Sequence, residues 1–249
     1  MPPALLHADN PGPYTGGGNN TWLLDGDEPT LVDAGVGMPV HLGALEAALG
    51  GRALARVLLT HSHRDHISGV PALRERWPDV EVAKHLLPND SGYVALADGA
   101  FVRAGAATLQ VIPTPGHALD HVCFWDKSDA SLYAGDLVLA GSSVLIPAGK
   151  GGSLREYLAS LERIRALGPR TIYPGHGPVI DDPDALIAKY IEHRHRREAQ
   201  VLRCVERGIT VVDDIVRELY PDIAANIRNA AEMTVVAHME KLREEGRIP

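Results

Sequence analysis

Cysteine is almost absent from this chain: Cys123 and Cys204 are the only two in 249 residues. A disulfide framework is therefore excluded as the source of stability, and two distant thiols in apolar contexts read as buried and free, which suits a reducing compartment. No apolar run approaches the roughly 20 residues that a membrane span needs, so a membrane is not an expected partner. The start, Met1-Pro2-Pro3-Ala4, has no basic stretch followed by an apolar core. No signal peptide is expected on that reading, and the cytoplasm is the default location. Positive charge is also in deficit, with 24 Lys and Arg against 32 Asp and Glu and a net charge of −8. Attraction to nucleic acid or acidic lipid would need a local patch. No internal repeat of fixed period is visible. What is present is 45% hydrophobic residues, enough for one large domain with a small appendage.

Histidine is concentrated. The run His61-Ser62-His63-Arg64-Asp65-His66 follows the apolar Val57-Leu58-Leu59 and Thr60, as a buried strand followed by a loop of metal ligands. Side chains at i and i+2 of an extended segment share a face, so His61 and His63 can meet one ion. Asp65 and His66, where the chain turns toward a helix, can face a second. Neutral imidazole and ionised carboxylate are ligands that zinc accepts.

The same arrangement recurs along the chain. Thr108–Ile112 is an expected strand that runs into Pro113-Thr114-Pro115-Gly116-His117, making His117 the natural third ligand for the ion of His61 and His63. Ser131–Ala134 delivers Gly135-Asp136, and Asp136 is expected to bridge both ions. Thr171–Tyr173 ends in Pro174-Gly175-His176, and His176 completes the second set with Asp65, His66 and Asp136. His121 begins the strand His121–Trp125. A role behind the ligands or facing substrate and a plain structural role suit it equally. Asp33 closes a hairpin strand, and a place behind the ligand loop and a simple turn role are likewise both open.

The remaining pattern is α/β. A turn-rich loop with Gly16-Gly17-Gly18-Asn19-Asn20 precedes a hairpin, Thr21–Leu24 and Thr30–Val32, around Asp25-Gly26. Helices are expected over Val40–Leu49, Gly69–Trp77 and, from a capping box at Ser153, through Leu167. Short strands alternating with helices argue for two mixed sheets with helices outside. The composition changes after Asp182, so residues 1–182 form one expected domain and 183–249 a second. The second opens with a long helix to Glu206 carrying His193-Arg194-His195-Arg196-Arg197, a run read as a solvated face. Two further helices and a short extended end follow, with ten Lys and Arg against eleven Asp and Glu from Ile191 to Pro249. That balance gives no support to general DNA binding.

The ordered set His61, His63, Asp65, His66, His117, Asp136, His176 resembles the metallo-β-lactamase superfamily. The resemblance implies an αββα sandwich and a dinuclear site for two Zn(2+), other divalent metals being compatible. More narrowly, Tyr173-Pro174-Gly175-His176-Gly177-Pro178, followed by Ile191-Glu192-His193-Arg194 and the C-terminal helices, is similar to the β-lactamase-like protein 2 group. That group is associated with cleavage of single-stranded RNA and has a small winged-helix-like tail. Ser68 before Gly69, where Gly-Gly is frequent, and Ala118 after His117, where threonine is common, depart from the pattern. The implied activity is a hydrolase using a metal-bridging hydroxide, with Asp65 and Asp136 as the catalytic carboxylates. The first expected substrate is single-stranded RNA. The alternative is a small thioester, ester or lactone, as in glyoxalase II-like relatives, with weak β-lactamase side activity. An oligomer is compatible with the sequence, and the tail is free to cover the site, contact substrate or pair with a second chain.

Overall fold

The computed structural model describes residues 2–141 and 143–249. Among the described residues eleven strands form two sheets. The first contains β1 (Ala4–His7), β2 (Asn20–Leu24), β3 (Thr30–Val32), β4 (Arg56–Leu58), β5 (Glu81–Lys84) and β6 (Val94–Ala95), in that order across the sheet. The second is ordered β11 (Thr171–Pro174), β10 (Ser131–Gly135), β9 (Val122–Asp126), β8 (Ala107–Pro113), β7 (Phe101–Ala104). Helices α1 (Pro39–Leu49), α2 (Arg64–Ile67) and α3 (Val70–Arg76) accompany the first sheet, and α4 (Leu154–Leu167) covers the second. The tail holds α5 (Pro183–Glu206), α6 (Val212–Leu219) and α7 (Arg228–Glu244).

Strand alternation separates the layers. In β2 to β4 the side chains of Leu23, Leu31 and Val57 pack outward with Leu42, Leu45 and Leu49 of α1. Their neighbours Trp22, Leu24, Val32 and Leu58 turn inward to meet Leu109, Val111, Val122 and Phe124 of the second sheet. Cys123, Trp125, Leu132 and Ala134 point the other way, onto Leu158, Leu161 and Ile164 of α4. A period of two with both faces apolar is what a sheet covered on both sides requires. The result is an αββα sandwich with a helical, winged-helix-like C-terminal part.

Helix α5 is shared between two cores. Ile187, Tyr190 and Ile191 pack with α4 and the second sheet. Val201 and Cys204 belong to a separate cluster with Ile215, Val216, Val235 and Leu242 of the tail. Both cysteines are free and buried, and burial pushes the Cys123 thiol up to about 12. The basic run on α5 departs from expectation: His195 and Arg196 are exposed, but Arg194 is buried and His193 and Arg197 are half-buried.

The two sheets share an edge where strands end. Strands β3 and β4 pair in parallel. In the other sheet β9 runs antiparallel to both β8 and β10, while β10 and β11 are parallel. Thus β8, β10 and β11 share a direction, and their C-terminal ends lie together.

Candidate metal centre

All seven predicted ligands come together at that edge. Donor atoms of His61, His63 and His117 lie within 4.8 Å of one another, as do those of Asp65, His66 and His176. His61, His66 and Asp136 form a third such group that joins the other two. Asp136 stands between the halves: Oδ1 is 3.5 Å from both His66 Nε2 and His176 Nε2, and Oδ2 is 3.5 Å from His117 Nε2. Asp65 Oδ2 lies 3.3 Å from His176 Nε2 and 3.5 Å from His66 Nε2. Two donors about 2.1 Å from one tetrahedral ion stand about 3.4 Å apart, so these separations suit a cation between them.

The hydrogen bonds behind the rings set their tautomers. Asp33 accepts Thr60 N–H at 2.8 Å and the Thr60 hydroxyl, whose oxygen is then left to accept from His61 Nδ1 at 3.0 Å. Asp33 Oδ2 also takes His66 Nδ1–H at 2.7 Å. The Leu145 carbonyl accepts from His117 Nδ1 at 2.7 Å, and the Gly18 carbonyl from His176 Nδ1 at 3.2 Å. In each of the four rings Nδ1 is committed as a donor and the Nε2 lone pair is directed into the cluster. His63 differs, presenting Nδ1 at 2.8 Å from His117 Nε2. Such outer partners fix ring orientation in metal sites.

Two atoms test whether a cation fits. Among the described residues, His61 Nε2 and Asp136 Oδ1 are buried without a hydrogen-bond partner. A buried polar atom left unpaired costs about 1–3 kcal/mol, and coordination would satisfy both. The donor set of imidazoles and carboxylates suits zinc and its borderline neighbours. Burial, then the nearby His66 and His117, holds His61 well below the ordinary imidazole range, and His63 is lowered to about 4, chiefly by burial. Burial also lowers His66 and His176, but carboxylates outweigh it. Asp33 and Asp136 hold His66 well above the usual value, and Asp136 and Asp65 raise His176 to about 10. A cation on that side competes with protons for the same lone pairs.

Local sequence explains the placement. The β10–β11 register shifts between Tyr133 and Gly135, and this irregularity precedes Asp136. Gly175 is required by close approach: a Cβ there would lie 2.7 Å from Asp136 Oδ1 and 2.8 Å from His66 Cε1. Between the first two histidines, Ser62 donates to Asp120, which also meets the buried Lys84 Nζ at 3.0 Å. Lys84 reaches Asp90 at 2.6 Å as well, tying the ligand loop to β5.

His121 lies behind the ligands. Its Nε2 accepts the Asp136 backbone N–H at 3.2 Å, and its Nδ1 lies 2.8 Å from Thr114 Oγ1. Burial first, then His117, lowers it to about 3, so it acts as a neutral ring. Asp33, open between two roles in the sequence, holds His66 and Thr60. Asn19 was missed: its Nδ2 donates to Asp65 Oδ2 at 3.0 Å and sits 3.2 Å from His66 Nε2. The glycine run beside it reads as a loop, and no periodicity marks one asparagine in a loop as a partner of residue 65.

Comparison with known proteins agrees with the geometry. The Metallo-beta-lactamase superfamily profile matches residues 14–176, and the Beta-lactamase associated winged helix domain matches residues 212–249. The Beta-lactamase-like protein 2 homolog of Caenorhabditis elegans is 32% identical over 95% of this chain and 82% of its own length. The Atrochrysone carboxyl ACP thioesterase of Aspergillus chevalieri is 32% identical over 90% of this chain and 75% of its own. Among solved structures, a metallo-beta-lactamase family protein from Thermus thermophilus superposes with a TM-score of 0.80 at 26% identity, covering 98% of this chain and 94% of that one. The chain belongs to the metallo-β-lactamase superfamily of hydrolases and carries that family's associated winged helix.

Proposed function

We propose that the cluster holds two divalent cations, zinc by default, and that the protein hydrolyses a small acyl thioester. His61, His63 and His117 would hold one ion, Asp65, His66 and His176 the other, with Asp136 shared. Such ions supply an ionised water near neutral pH and polarise a scissile carbonyl. The carrying observation is that Nε2 of His66, His117 and His176 each lie 3.5 Å from an oxygen of Asp136, with His61 within 4.8 Å of the same group.

The chain's own groups favour a thioester. The Asp65 side chain is 25% exposed against 11% for Asp136, so Asp65 is the carboxylate more accessible to an attacking water and its proton. The cluster histidines are assigned as ligands and His121 is committed on both nitrogens, so no imidazole of this group is spare as a proton donor to a leaving group. A thiolate, with a parent pKa near 8.5, leaves without such help far more readily than an alkoxide. The thioesterase named among the relatives and the acidic balance of the chain support the same reading.

The test is turnover by zinc-loaded protein on acyl thioesters beside esters, lactones, a β-lactam and single-stranded RNA, with Asp136→Ala as control. Thioester cleavage lost in the variant and absent after chelation is the expected result. RNA cleavage with thioesters left intact would overturn it in favour of the nuclease expected from the sequence.

A further inference from the structure

A cavity of about 520 Å³ lies between the segment 143–145 of the sandwich and the tail helices. That volume falls within the range that encloses a small organic ligand, about 300–1,000 Å³. Val144, Leu145, Ile223 and Ile227 give it apolar lining. Arg194 and Arg197 of α5 give it cationic lining, with His193 beside them, which accounts for the departure of that basic run from a solvated face.

Arg194 is the informative residue. It is 3% exposed and donates through Nη2 to the Val144 carbonyl and, at 3.3 Å, to Ser143 Oγ. Its guanidinium lies over the Tyr157 ring, 5.4 Å from the centroid. Among the described residues its buried Nε has no hydrogen-bond partner and no carboxylate forms an ion pair with it. A buried guanidinium lacking an anion is costly, and an anion held in the cavity that Arg194 lines would offset that cost through its field. Arg197 stands 4.3 Å over the Tyr220 ring centroid and also forms no ion pair among the described residues. Asp222, the one carboxylate of the lining, is exposed and pairs with neither arginine.

We propose that this cavity is a binding site for an amphipathic organic anion, its apolar body against Val144, Leu145 and Ile223 and its anionic head on Arg197, within the field of the buried Arg194 guanidinium. Leu145 links it to the metal centre, because the residue lines the cavity while its carbonyl orients His117. Resting on the thioesterase reading, the cavity is where an anionic, largely apolar substrate would be selected, at a distance from the bond that breaks. A simple anion such as phosphate satisfies the arginines but leaves the apolar wall wet, and a neutral aromatic does the reverse.

The experiment is calorimetric titration of the full chain, zinc-loaded and chelated, with 2-naphthoate, 2-naphthol and inorganic phosphate. Arg197→Gln and Thr234→Trp are the variants, because both positions line the cavity and neither is fully buried, whereas Arg194 is held inside the fold. Circular dichroism establishes that each variant is folded. Naphthoate should bind with and without zinc, more tightly than naphthol or phosphate. Affinity should fall about tenfold in Arg197→Gln, as loss of one charge-assisted hydrogen bond implies. Thr234→Trp should abolish binding by filling the space. Naphthoate that fails to bind, that binds no better than phosphate or naphthol, or that is insensitive to both variants overturns the site. Binding that vanishes on chelation while surviving Thr234→Trp places the ligand on the metals and overturns it too. Because binding is read without turnover, loss of the thioesterase reading would not be confused with loss of the site.

Discussion

Asp33 Oδ2 and His66 Nδ1 are 2.7 Å apart, both buried, across 33 positions of sequence. The same carboxylate accepts both donors of Thr60, whose hydroxyl oxygen accepts from His61 Nδ1. One side chain therefore orients imidazoles in both halves of the cluster. Asp33→Asn keeps an acceptor and tolerates the backbone φ of 62° at this position, yet removes the charge. Zinc affinity should fall about 10–100-fold, the usual cost of losing such a partner. Competition with a chromogenic chelator measures it, and unchanged affinity would refute the role assigned to Asp33.

Gly175→Ala tests close packing at the site. The added methyl meets Asp136 Oδ1 and His66 Cε1, atoms of the carboxylate proposed to be shared and of one half of the cluster. The expected outcome is selective loss of the ion on the His66 side, with the other retained. Elemental analysis of dialysed protein should then show about half the zinc content of the parent, and a full complement would show that the backbone yields instead.

The gathering of seven histidine and aspartate side chains at one edge was legible in the sequence because each follows an apolar strand, and strand ends are easy to place. The layers were legible for the same reason, since alternation and helical spacing survive in single segments. Strand β1 and the short strands β6 and β7 were not, because Leu5, Val94 and Phe101 are exposed and Val94–Ala95 spans only two residues. Asn19 and the Leu145 carbonyl escaped notice for another reason. Their partners, Asp65 and His117, are distant in sequence, and a carbonyl carries no residue-specific signal. The burial of Arg194 depends on segment 143–145 folding over α5, which charge patterning along one helix cannot report.

His121 accepts the Asp136 backbone N–H, and on the proposed function this ties backbone geometry to the reacting centre. His121→Phe keeps a ring in the space but deletes both nitrogens, so the backbone amide of the shared carboxylate residue loses its acceptor. On the proposed thioester, kcat should fall about 10–100-fold with KM nearly unchanged, since the change acts on the reacting centre and not on binding. His121→Gln, which restores an acceptor, should recover part of the loss. A purely structural role predicts equal damage from both substitutions and a lowered melting temperature in each.

The tail carries its own acid sensitivity. His238 of α7 is fully buried with neither ring nitrogen bonded among the described residues, and burial, followed by Arg194, Arg197 and Lys241, lowers it to about 3. His193 faces it as a further positive neighbour, while the adjacent Lys241 is itself paired with Glu198 and Glu245. In the unfolded chain the ring titrates near 6.5, so below that pH the unfolded state takes up a proton that the folded state refuses. The resulting stability is complete above about pH 6.5 and is lost progressively as pH falls toward the folded value. At pH 5 the loss from this one ring amounts to about 2 kcal/mol. His238→Leu, close in volume and unable to charge, should therefore gain stability relative to the parent at pH 5 but not at pH 8. Denaturant unfolding at the two pH values measures the difference, and an effect of equal size at both would mean that packing, not protonation, governs this position.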